Sequence, residues 1–143
     1  AWLQLSDIPA AASDGLENTL SQLDETAYLD PWLLDAWTAA AASRVDVALP
    51  ALLTRAKPWP PEVAGRLEIL GAHLARSRPS VERVHALLAA LQDANAENAM
   101  VVMQGLERGW PADLKLQLEP AAGQMLGRIL EKLPVNGKGL LLR

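Results

Sequence analysis

Lys57-Pro58-Trp59-Pro60-Pro61-Glu62-Val63-Ala64-Gly65-Arg66-Leu67-Glu68-Ile69-Leu70-Gly71-Ala72-His73-Leu74 is the stretch from which the fold is read. Prolines at 58, 60 and 61 stop any helix that precedes them, because each lacks a backbone N–H and its ring crowds the preceding turn. Pro61-Glu62 is a good helix start, since proline fits the first turn, where N–H groups have no partner in any case. Val63, Leu67, Leu70 and Leu74 then recur at the spacing of one helical face. The pattern is a hard stop, a start signal and an apolar stripe.

The same pattern recurs on both sides. Downstream, Arg78-Pro79-Ser80 breaks the chain, and Val81, Val84, Leu88 and Leu91 follow with Glu82 and Arg83 outward. Asp93 to Asn95 is a polar turn with a capping residue. The next stripe is Ala99, Val102, Met103 and Leu106, ending near Gly109-Trp110-Pro111. Glu119-Pro120 opens another, with Ala122, Leu126, Ile129 and Leu133 before Pro134. Pro134 to Gly139 is a turn leading into a truncated eighth helix at Leu140-Leu141-Leu142.

Upstream, a helix over about Val45 to Ala56 carries Val45, Leu49, Leu52 and Ala56, with Pro50 expected within its first turn or so. Before it, Asp30-Pro31 combines an N-cap oxygen with a proline start, and Leu33, Trp37 and Ala40 continue the face to Ser43-Arg44. The first helix follows Ser13-Asp14 and aligns Leu16, Leu20 and Leu23.

Seven helices and the opening of an eighth, joined mostly by short turns, make sequential neighbours antiparallel. Alternate helix starts repeat roughly every 30–40 residues, in or just below the range of helical-hairpin repeats. The expected fold is all-α, a HEAT-like α-solenoid of about seven to eight antiparallel helices forming one domain over residues 1–143. No strict residue-level repeat is visible, so a compact irregular bundle stays open beside it.

Composition agrees with the helical reading. Half of the 143 residues are apolar and 21% are charged, the balance of an ordinary globule large enough for its own core. About a third of the residues are Ala or Leu, both strong helix formers. Phe is absent and Tyr occurs once, so residues that favour strands are scarce. The opening Ala1-Trp2-Leu3-Gln4-Leu5 lacks the regions of a signal peptide, and both ends read as cuts within a longer chain.

Several chemistries have no residues to carry them. With no Cys, the segment holds no disulfide, thiolate metal site, thiol nucleophile or covalent haem link. The net charge is −4 and the pI about 5.1. Arg44, Arg55, Arg66, Arg76, Arg78, Arg83, Arg108 and Arg128 are interleaved with carboxylates rather than gathered in the basic stripe that nucleic acid demands. No apolar run approaches the 18–20 residues (roughly) of a membrane-spanning helix.

His73 and His85 are the only histidines, on two different predicted helices, without an HxxxH pair. Such isolated imidazoles are more often surface groups or satisfied neighbours than metal ligands. Asp24-Glu25 with Asp30, and Asp93 with Glu97, could act as acid–base pairs if burial split their pKa values. Their place at turns and helix starts favours capping instead. Ser13, Ser43 and Ser80 mark helix boundaries without a glycine-flanked elbow. Gly105 and Gly109 read as helix packing and helix stop, not as a phosphate loop.

Five tryptophans without a phenylalanine are the oddest feature. Trp32, Trp37, Trp59 and Trp110 would anchor a partner if exposed. The simpler reading has indoles sealing joints between helix layers while each N–H reaches a turn carbonyl. Trp59, in the proline-rich loop, is the one most expected to reach solvent.

Two patches carry a family resemblance: Asp30-Pro31-Trp32-Leu33-Leu34-Asp35-Ala36 followed by Ala39-Ala40-Ala41, and Gly105-Leu106-Glu107-Arg108-Gly109-Trp110-Pro111. They resemble HEAT-like segments of large bacterial multidomain proteins. Those proteins join a sugar-dehydrogenase-like β-propeller, often described as a membrane-bound dehydrogenase, to helical repeats and a C-terminal c-type cytochrome. The resemblance spans Asp14 to Arg143. It implies an extracytoplasmic spacer between a substrate-oxidising domain and a haem domain. Neither the propeller's site residues nor a CxxCH haem motif lies in this chain, so no functional residue carries over.

The function expected is therefore a non-catalytic scaffold or interaction module with no catalytic, cofactor or metal residues of its own. Its partners would be protein, first of all neighbouring domains, with weak self-association through apolar ends. A small helical enzyme fragment using His73 or His85 is one alternative. A nucleic-acid-binding HEAT-like domain is another, disfavoured by the acidic balance.

Overall fold

The computed structural model describes residues 30–117 and 119–133. Among them the chain is all-helical, with six helices and no strand: α1 (Pro31–Ser43), α2 (Val45–Leu53), α3 (Pro61–Arg76), α4 (Val81–Asp93), α5 (Ala96–Gly109) and α6 (Pro120–Lys132). They correspond to the second through seventh stripes. The expected helix around 16–23 and the truncated eighth lie outside the described residues.

The start signals act as their chemistry requires. Asp30 accepts from the Trp32 and Leu33 N–H groups at 2.9 and 3.4 Å, ahead of Pro31. Ser80 accepts from Arg83 N–H at 3.5 Å, and Asn95 from Glu97 N–H at 2.9 Å. Pro61 and Pro120 open α3 and α6.

Two details of α2 differ from expectation. The helix begins at Val45, which leaves Pro50 inside it. It also ends at Leu53 rather than Ala56. Thr54 closes it early, its N–H and its hydroxyl both donating to the Ala51 carbonyl. Lys57 precedes Pro58 and is pushed out of helical conformation.

The stripes form the core. Val63, Leu67, Leu70 and Leu74 are buried, as are Leu49, Leu52, Leu53, Trp37, Leu91, Val102 and Ile129. Burying a side chain of this size contributes roughly 1.5–3 kcal/mol. Of the expected positions, Ala56 is exposed, and Leu33, Val81 and Leu126 are half-buried.

Contacts between helices follow two series. α1 packs on α3 and α3 on α5, while α2 packs on α4 and α4 on α6; α2 also touches both α1 and α3. The closest approach is between α3 and α5. A Cβ on Gly71 would lie 2.7 Å from the Val102 carbonyl oxygen, and one on Gly105 or Gly109 would overlap the backbone of Glu68 or Ala72. Glu68 faces Gly105 and Ala72 faces Gly109, so the two helices run parallel. Side-chain hydrogen bonds between distant parts of the chain join positions 35 to 41 residues apart.

Candidate functional site

The described residues do not bring the sequence-derived candidates together. His73 is exposed on α3 and His85 is half-buried on α4. The Nε2 of His85 is buried with no hydrogen-bond partner among the described residues. No three of His, Asp and Glu gather there in a metal-binding arrangement. Glu82, one turn before His85, is held below the usual carboxylate range by its hydrogen bond with Ser80, with smaller help from its own backbone N–H and from His85.

The acids and serines stand at helix ends. Asp30 caps α1 and Ser80 caps α4. Asp93 closes α4 and Glu97 lies in the first turn of α5, whose cap is Asn95. Ser43 donates to the Ala40 carbonyl at 2.7 Å. Ser13, Asp24 and Glu25 lie outside the described residues.

The tryptophans divide. Trp37 is fully buried, and its indole N–H has no partner among the described residues. Trp59 reverses the expectation that it reaches solvent: it is only 6% exposed. Its indole N–H donates to the Leu52 carbonyl at 3.0 Å, and the Arg55 guanidinium lies 4.3 Å from the ring centre. The proline-rich loop folds inward because its backbone finds partners there. Trp110 is half-buried and donates to the Leu114 carbonyl at 3.2 Å. Trp32 alone of the four is open, at 84% exposure.

Asn98 was not singled out from the sequence, yet it organises this region. It is buried at 2% exposure. Its Oδ1 accepts from Trp59 N–H at 2.9 Å, and its Nδ2 donates to the Lys57 carbonyl at 3.1 Å. Asn95 adds a bond to the Ala56 carbonyl at 3.4 Å. The available signal was a polar residue one position before a predicted core alanine, Ala99. That signal is weak, because surface asparagines occupy such places just as often.

Charged groups tie the helices in the same sense. Asp35 pairs with Arg66 at 2.6 Å, Asp46 with Arg83 at 3.3 Å and Glu68 with Arg108 at 2.9 Å; Arg78 pairs with Asp113. The bond from Arg78 is the main reason the Asp113 carboxyl sits below the usual range. Exposed pairs of this kind add little to stability, because solvent screens them. Lys132 donates to the carbonyls of Gln92 and Ala94 at 2.6 and 2.7 Å, satisfying the end of α4. Burial at this joint pushes its pKa below the lysine norm.

The described residues line a cleft of about 610 Å³. Leu74 and Pro79 form one wall, Val84, Leu87 and Leu88 of α4 a second, and Met103, Leu106 and Glu107 of α5, with Trp110 just past its end, a third. Pro111, Ala112, Leu114 and, from α6, Leu126 close the rim. Apart from Glu107 the described lining is mostly apolar, which suits an apolar side chain or segment. No helix of the described residues is long and apolar enough to cross a membrane. Compared with protein-family models, curated proteins and solved structures, the chain matches none.

Proposed function

We propose that this chain is a HEAT-like segment of an αα solenoid acting as a non-catalytic scaffold. One observation carries the reading: side-chain hydrogen bonds between distant parts of the chain span 35 to 41 residues. With the ion pairs Asp35–Arg66, Asp46–Arg83 and Glu68–Arg108 the reach runs from 31 to 41 residues, about the length of one helical hairpin, as expected where each unit packs on its neighbours. The two contact series, α1–α3–α5 and α2–α4–α6, are the two helix rows of such an array. An array of this kind offers an extended surface for protein, chiefly neighbouring domains, rather than a reaction chamber.

The two resemblance patches extend the proposal to a spacer between a dehydrogenase-like domain and a cytochrome domain outside the cytoplasm. Both patches also have roles within the fold. Asp30 caps α1, and Gly105 and Gly109 let α5 approach α3.

Small-angle scattering tests the array. A compact domain of this length has a radius of gyration of about 14–15 Å. A larger value with an extended pair-distance tail is expected, and a compact sphere would refute the reading.

A further inference from the structure

We propose that residues 111–117 are a strap over the apolar cleft, fastened to the turn between α3 and α4 by the Arg78–Asp113 pair and lifting when that pair opens. Ten residues, 110–119, join α5 to α6, whereas the other connections take between one and seven. Pro111, Ala112 and Leu114 of this long connection share the cleft lining with α4 and α5. Little besides apolar contact holds it down. Leu114 N–H donates to the Pro111 carbonyl at 3.0 Å, and the Leu114 carbonyl accepts from the Trp110 indole at 3.2 Å. Both bonds stay at the α5 end of the connection, where they act as a hinge. Among the described residues, the polar tie from 111–117 to any more distant part of the chain is Asp113 with Arg78. A segment held by so few contacts opens at low cost in free energy.

The fastener stands on an unusual backbone. Arg78 has a φ of 55°, in the left-handed region that residues with a Cβ seldom adopt. Its N–H donates to the Ala75 carbonyl at 3.2 Å, so it ends α3 where a glycine commonly would. Glycine would suit that backbone better. What arginine adds is a side chain that reaches Asp113. Pro79, the next residue, is buried and belongs to the cleft wall, so the fastener sits at the edge of the cleft that the strap covers.

The chain has no cysteine, so one introduced thiol reports access to the cleft through its rate of reaction with a bulky aromatic disulfide reagent. Met103→Cys places the thiol on the lining, and Leu88→Cys repeats the reading should the first variant not fold. In either background Asp113→Asn and Arg78→Gly should each raise the labelling rate about threefold, and the two together no further than one alone. Salt at about 0.5 M should bring the parent rate towards theirs by screening the pair. Arg78→Gly should cost little thermal stability, because glycine suits the left-handed backbone, and so it separates unfastening from unfolding. Leu49→Cys, fully buried in α2 outside the cleft lining, should label no faster in any of these variants. Equal rates at positions 103 and 88 with and without the pair would overturn the proposal, as would acceleration at position 49 in step with them. A parent thiol as reactive as one in the unfolded chain would overturn it too, since the strap would then cover nothing.

Discussion

Asn98 shows how one side chain can set a local structure. Its amide satisfies one donor and one acceptor of the 57–59 loop, and without it the Trp59 N–H would be buried without a partner. Asn98→Ala is expected to cost about 1–3 kcal/mol, the range for a buried polar group left unpaired. Denaturant unfolding measures the loss, and a red shift of Trp59 emission would report the loop's release; an unchanged midpoint would contradict the account. Asp113 gives a test on titration. Its pKa is depressed, so the stability gained from its pairing with Arg78 is present above the ordinary carboxylate range and is lost as pH falls through the folded value. In an NMR titration, Arg78→Ala should move the Asp113 midpoint upward. Such residues are poorly legible in the sequence, because their roles depend on partners 35 to 41 residues away. The caps are legible: Asp30, Ser80 and Asn95 act within three residues of themselves, and local chemistry is what a sequence prints. Trp59 departs from expectation for the complementary reason. Its proline neighbours point to a loop, but whether a loop turns outward depends on who accepts its N–H groups.

At the scale of the element, the six helices are readable because each carries an apolar stripe between a proline or cap and a stop. Boundaries fail only where a local bond intervenes, as Thr54 does at the end of α2. The glycines separate packing from propensity. Gly105 is pressed on the Glu68 backbone, while Gly65 and Gly123 face open space, with nothing within 4 Å of where an added methyl would sit. Alanine gains about 1 kcal/mol over glycine in a helix interior, and overpacking costs typically about 1–3 kcal/mol. Gly65→Ala and Gly123→Ala should therefore raise stability by about 0.5–1 kcal/mol. Gly105→Ala should lower it, because the neighbour it meets is rigid backbone. Thermal melts of the three variants check the signs; a stabilising Gly105→Ala would refute the close α3–α5 contact.

At the scale of the whole molecule, the proposed repeat of about one helical hairpin rests on spacing and not on matched residues. The core positions recur, whereas the cross-links use different residue types in each unit: Asp35–Arg66 in one place, Asn98 on a backbone loop in another, Lys132 on carbonyls in a third. What each joint must do is constant, and the chemistry that does it is free to vary. An array stabilised only between neighbours should also loosen locally. Ile129 is fully buried in α6, and truncating such a side chain costs about 2–5 kcal/mol. Hydrogen–deuterium exchange on Ile129→Ala tests the array most directly. The amides of α6 and of the facing α4 should exchange faster while those of α1 and α2 keep their protection. Equal acceleration in all six helices would mean a single cooperative bundle and would contradict the account.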